Sequence, residues 1–228
     1  MAIAFDSAAD DNAESAAVTI SWTHTTGATA DFIAAAFHGF DATDADRAFS
    51  AASFNGDAMT LANTYNDDAA NMTSHIVFRV APDIGTFSVS VSFAAAVNAV
   101  WGWSCSLVGV DQSTPIGAVN GKTETDTQNI SIALTTTAEN SWLLDDFIAT
   151  QATSGTEPTS SQTTRADFYN IRKHGGSTKV ATSIAEYTMA WDTLNTTADS
   201  VHNVVEILEA VAPGGTTWPG YISPYGYK

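Results

Sequence analysis

Between Gly85 and Ala94 the chain alternates without a break: Phe87, Val89, Val91 and Phe93 are separated by Ser88, Ser90 and Ser92. A period of two places the apolar side chains on one face of a strand and the hydroxyls on the other, so the segment needs a second layer to cover its apolar face. After a short Ala/Asn connection, Trp101, Trp103, Cys105 and Leu107 share one face while Gly102, Ser104 and Ser106 share the other. The spacing predicts a second strand beside the first. It ends in a turn-rich run from Gly109 to Gly117, where Pro115 removes a ladder donor. An antiparallel β fold follows from these two segments.

Other strands are predicted at residues 3–5, 18–23, 75–80, 130–134, 180–191 and 201–209, from the same alternation. Residues 32–40 are apolar on both parities, which predicts a central strand covered on both faces or a strand at a subunit contact. Residues 50–61 form a hairpin centred on Asn55-Gly56, a dipeptide that tolerates the positive φ of a tight turn. Residues 6–17, 41–47, 63–71 and 151–164 are predicted as polar loops. The chain also echoes itself. Ile20 to Phe32 and Ile132 to Leu144 have the same spacing (32 − 20 = 144 − 132 = 12), each joining an alternating strand to a nearly all-apolar one through a Thr-rich turn.

The 228 residues suit one large β-sandwich over 1–211 followed by a Pro/Gly/Tyr-rich tail over 212–228, with no linker to mark a second domain. The order Gly-Thr-Phe-Ser-Val-Ser-Val-Ser, an aromatic strand, then Gly-Val-Asp-Gln-Ser-Thr-Pro-Ile-Gly resembles a jelly-roll-like β-sandwich module of virion structural proteins and bacterial surface proteins. Residues 3–6, 18–24, 53–61, 189–191 and 201–209 are similar to its remaining strands. The resemblance implies a single jelly-roll-like domain and, since sandwiches host many functions, little about activity.

Charge excludes more than it identifies. With 25 acidic and 8 basic residues the formal net charge is −17, which disfavours nucleic acid and acidic membrane surfaces as partners and suits a saline habitat. No segment approaches the roughly 18 consecutive apolar residues of a membrane helix, and the first residues lack the pattern of a secretory signal. Cys105, alone in an aromatic strand, is expected to be a small buried hydrophobe. The cluster Arg165, Arg172, Lys173 and Lys179 is either charge balance for acidic neighbours or a docking patch for another acidic copy.

Catalytic patterns are sparse. His24, His38, His75, His174 and His202 show no paired ligand spacing, so solvent-facing or hydrogen-bonded roles are expected. Glu206 and Glu209 differ by three and Asp145-Asp146 by one, so neither pair shares a strand face as a glycosidase pair would. No nucleophile elbow, phosphate loop or dinucleotide fingerprint is present. Asp41, Asp44 and Asp46 share one loop and are the candidate calcium ligands. Asp145 and Asp146 interrupt the apolar run 142–149, so at least one is expected to be buried and held by hydroxyl or backbone donors.

The sequence therefore predicts a non-enzymatic structural protein of the exterior of a virus particle, made in the host cytoplasm: a capsid decoration, turret or fibre-associated protein of a phage or archaeal virus. Its expected partners are further copies and other virion proteins, with no cofactor. Trp218, Tyr221, Tyr225 and Tyr227 of the tail are the expected interface anchors. The alternative is a carbohydrate-binding or adhesion module that engages a host surface glycan through exposed aromatics and a Ser/Thr-rich surface.

Overall fold

The computed structural model describes residues 2–11, 13–150, 157–158, 161–192 and 197–210. Tail residues Trp218, Tyr221, Tyr225 and Tyr227 and most of the loop at 151–164 lie outside them. The strands are β1 (Ala4–Asp10), β2 (Ser15–Thr26), β3 (Phe32–Phe40), β4 (Phe49–Phe54), β5 (Asp57–Ala58), β6 (Thr60–Asp67), β7 (Met72–Val80), β8 (Gly85–Val108), β9 (Ile116–Thr127), β10 (Ile130–Thr135), β11 (Ser141–Ala149), β12 (Glu157–Pro158), β13 (Thr163–Tyr169), β14 (Lys173–Ala181), β15 (Glu186–Asp192) and β16 (Ala198–Ile207). The fold is all-β, with antiparallel sheets packed as a sandwich.

The two organising segments are not neighbours. They are the ends of one 24-residue strand, because the Ala/Val/Asn run between them holds no glycine or proline to reverse the chain. The front of β8 pairs with β2 and β4; its rear pairs with β3 and β1. Loops expected at 6–17, 63–71 and after Gly117 contain strands β1, β6 and β9 instead, and residues 180–191 are two strands around a turn at 182–185. The hairpin at Asn55-Gly56 is present, with φ of 52° and 82° at its two central residues.

β3 shows how the layers stack. Ile33, Ala35 and Phe37 pack with Ile20, Trp22, Val89 and Val91. Phe32, Ala34 and Ala36 pack on the other side with Trp101 and Trp103 and with Leu144, Val205 and Ile207. β11 repeats the arrangement: Leu143 and Phe147 face β10 and β15, whereas Leu144 faces the first half of the chain. Two central sheets, β6-β7-β3-β8-β1 and β13-β14-β11-β16-β9, thus pack on each other, and each carries an outer sheet. Full burial of Trp101 and Trp103 contributes on the order of 5 kcal/mol each. The central contact is a permanent core.

The echo in the sequence is a structural duplication. Adding 112 to positions in β2 and β3 (132 − 20 = 112) and 98 to positions in β7 and β8 (189 − 91 = 98) converts first-half pairs into second-half pairs. Ile20–Val91 becomes Ile132–Met189, Ala34–Phe78 becomes Asp146–Gly176, and Phe37–Gly102 becomes Ala149–Ser200. β6 lies over β9 and β1 over β13, the reciprocal contacts of a two-fold axis. The contact has since become asymmetric. Gly176 stands where the first half has Phe78, and a Cβ there would meet Trp103 Cζ2 at 2.1 Å.

Gly176→Ala is expected to cost about 2–3 kcal/mol, because the Trp103 indole is tethered by its N–H and cannot swing away. A thermal melt should fall by roughly 4–12 °C. An unchanged melting temperature would show that the indole is not seated there.

Candidate functional site

Asp145 and Asp146 are both fully buried, more than the expected minimum of one, because β11 is covered on both faces. Asp145 points into the second half. Its Oδ1 accepts Ser177 N–H (2.8 Å) and Oγ–H (2.6 Å), and its Oδ2 accepts Trp191 Nε1–H and His202 Nε2 at 2.8 Å each. Asp146 points across the central contact. It accepts Trp103 Nε1–H at 2.8 Å and Ser74 Oγ–H at 2.6 Å, both from the first half, with His38 Nε2 at 2.6 Å. Asn203 closes this network from below, donating to Ser74 O at 3.3 Å. Carboxylates on opposite faces of one strand, sealed from solvent, cannot share a substrate; this arrangement anchors indoles and joins the two halves.

Glu206 is engaged in the same way. Burial raises its pKa, but the N–H groups of Ala118 and Thr137 and the hydroxyls of Thr137 and Ser141 outweigh that and hold it below the usual carboxylate range; Ala138 N–H also donates to it.

All five histidines are buried rather than solvent-facing. His24 sits in a cluster that resembles a nucleophile and its base: Ser7 Oγ is 3.1 Å from Nε2, and Ser104 Oγ is 2.9 Å from Nδ1. The hydrogen-bond pattern assigns another role. Ser7 donates to Thr25 O (2.5 Å), Ser106 donates to Asp6 Oδ2 (2.6 Å), and Ser104 accepts Trp22 Nε1–H (2.9 Å). Ser104 therefore donates to Nδ1, and Nε2 carries the proton toward Ser7 and Ser106. His24 is thus a donor toward Ser7 and Ser106 and an acceptor only toward Ser104, which is itself fully buried, and burial lowers its pKa to about 4. His24, His38, His75 and His202 each have an apolar residue two positions away, Trp22, Ala36, Val77 and Val204, a signal that the spacing test for metal ligands passes over; His174, between Arg172 and Gly176, lacks it.

Asp41, Asp44 and Asp46, the candidate calcium ligands, are not brought together in this structure. Asp41 turns inward to accept Thr43 N–H (2.8 Å) and Asn98 N–H (3.1 Å), and Asp44 pairs with Arg47 at 3.1 Å. Among the described residues no three His, Cys, Asp or Glu side chains are grouped to hold a metal. Cys105 is buried with its thiol pushed up to about 12, the hydrophobe expected.

The basic cluster ties the molecule together. Arg172 pairs with Glu14 and lies 3.7 Å over Phe40, Arg165 lies 3.7 Å over Phe5, and Lys173 pairs with Asp167. Lys179 donates to Thr188 O at 2.9 Å. The charge-balance alternative describes Arg172 and Lys173, whereas Arg165 and Lys179 are engaged by aromatic, hydroxyl and backbone groups.

Among the described residues a candidate binding feature is the outer face of β2, front β8 and β4. Rows Thr19–Ser92–Ala51, Ser21–Ser90–Ser53, Thr23–Ser88 and Thr25–Thr86 lie side by side. They form a flat grid without a charged side chain, with a shallow hollow at Ala51, Ser53, Gly56, Ser90 and Ser92. Two hydroxyl pairs satisfy each other across strands: Thr19 with Ser92 at 2.8 Å and Thr25 with Thr86 at 2.7 Å. The alternating serines were visible in sequence; that β2 and β4 extend them into a sheet was not.

No family model, no curated protein and no solved structure matches this chain.

Proposed function

We propose that the protein is a non-enzymatic structural component of a virus particle, exposed on its exterior as a decoration, turret or fibre-associated protein. The observation that carries this reading is the contrast between the interior and one face. Buried Asp145, Asp146 and Glu206 are all engaged by internal donors, while the hydroxyl grid offers a rigid, uncharged contact surface on a chain of net charge −17. Such a face suits docking in an assembly, and the resemblance of residues 85–117 to a jelly-roll-like virion module points the same way. Further copies and other virion proteins are its partners, with nucleic acid disfavoured by charge.

Mass spectrometry of purified particles, with immunogold labelling of intact ones, tests this directly. The chain is expected in stoichiometric amounts and on the outside; its absence from purified particles would overturn the reading.

A second reading, a carbohydrate-binding or adhesion module, is favoured by the same Ser/Thr-rich face. Saturable binding of the monomer to a neutral glycan on an array would select it.

A further inference from the structure

The reading as a self-assembling structural protein leaves open which surface meets another copy. We infer that the uncharged grid on β2, front β8 and β4 is a self-association face, packing on the same face of a second copy about a two-fold axis. This rests on the structural-protein reading and adds the surface and the partner.

Charge selects the partner. Two molecules of net charge −17 repel each other over most orientations, and the repulsion is least where a face bears no charge. The duplicated counterpart provides a control within the same molecule. Its equivalent rows, Ser131–Ala190, Ala133–Thr188 and Thr135–Glu186, carry Glu186 and are bordered by Lys179, which donates to Thr188 O, and by Lys122, which donates to Ser131 O. Only the first-half grid among these two faces is free of charge. A two-fold contact of a face with itself closes and gives a dimer rather than a fibre.

Desolvation and shape agree with charge. Cross-strand hydroxyl pairs already satisfy part of the grid, which lowers the cost of drying it. Side chains no larger than threonine let two sheets approach closely, as small-residue sheets do. Size sets the strength. Three strands at about 4.8 Å and eight residues at about 3.4 Å give roughly 400 Å² per partner, about 800 Å² in total. That is below the roughly 1,000 Å² of a stable specific interface, so the dimer is weak in solution and gains from a particle's multivalency.

Sedimentation equilibrium of the full chain at 0.05 M and 1 M NaCl tests the inference. The association constant should rise at least tenfold with salt as repulsion is screened. Ser21→Glu with Ser88→Glu, both exposed positions, should abolish association at either salt while leaving the melting temperature within a few degrees. Ser21→Lys with Ser88→Lys should do the same alone, and mixing the Glu and Lys variants should restore a heterodimer. A chain that stays monomeric at millimolar concentration in 1 M NaCl overturns the inference, leaving particle membership to be judged by the mass spectrometry above. Association that survives both paired substitutions also overturns it, while showing that the chain assembles through another surface.

Discussion

Acidification from pH 7 to pH 4 is expected to unfold the protein. Burial lowers the pKa of His24 and of His75 from 6.5 to about 4 each. At His75 the Arg47 carbonyl and Asp146 oppose that fall while His38 adds to it. His174 falls well below 6.5 for the same first reason. It lies in a box of Trp101, Phe168 and His38, with no hydrogen-bond partner on either ring nitrogen among the described residues and with Arg172 and Lys173 beside it. Above pH 6.5 these rings are neutral whether the chain is folded or not, and they cost nothing. Between 6.5 and about 4 the unfolded chain takes up protons that the folded chain refuses, so stability falls as pH falls. His24 and His75 lose on the order of 3 kcal/mol each over that window. Asp11, raised to about 7 mainly by burial, works in the opposite direction, but its partial exposure makes its share smaller. A loss of about 6 kcal/mol is a large part of the 5–15 kcal/mol that keeps a domain folded. Tryptophan fluorescence and far-UV circular dichroism should show a cooperative transition between pH 5 and 4, and His174→Phe should move it to lower pH. Stability that stays level from pH 7 to pH 4 would rule the mechanism out.

None of that chemistry could be seen in histidine spacing. His38 and His174 come together only because the two central sheets face each other, and no local pattern records a contact between residues 136 positions apart (174 − 38 = 136). Local signals were dependable where the partner surface was large and apolar. Residues 87–93 alternate because they cover one outer-layer core, residues 32–40 are apolar on both parities because both faces of β3 are buried, and Asn55-Gly56 supplies its own turn geometry.

Strands that escaped notice wholly or in part include three at sheet edges and one central strand, β14, whose Lys-His-Gly-Gly-Ser-Thr run is buried without being apolar. β1, β6 and β9 are mostly half-exposed or exposed, so their sequences carry Ala, Asn, Thr and Asp with no apolar rhythm. Pairing escaped for another reason: periodicity fixes which face a side chain takes but not which strand lies alongside, so the ends of β8 were placed together when each belongs to a different sheet layer. The repeat was legible because duplication preserved spacing within each hairpin. Divergence at Phe78 and Gly176, or at Ala34 and Asp146, hid the rest.

Removing either buried carboxylate is expected to be among the most damaging single changes in the chain. Asp145→Ala would leave the Trp191 indole N–H, both Ser177 donors and His202 Nε2 without their acceptor in a site closed to water. Asp146→Ala would strand the Trp103 indole and the Ser74 hydroxyl at the contact between the halves. Loss of one partner from such a buried polar network costs about 3–5 kcal/mol, equivalent to a fall of roughly 6–20 °C in melting temperature for a chain of this size. Asparagine keeps one acceptor oxygen but turns a donor toward the groups that the second oxygen served, so Asp145→Asn and Asp146→Asn should lose about half as much. The two sites should differ in kind as well. Asp145 is satisfied wholly by β14, β15 and β16, so its loss loosens the second half, whereas Asp146 binds Trp103 and Ser74 of the first half and its loss loosens the joint. A double-mutant cycle of Asp146→Asn with Trp103→Phe should return a coupling of about 1.5–3 kcal/mol. Melting temperatures unchanged within error for both asparagine variants would show that these carboxylates do not hold the structure together.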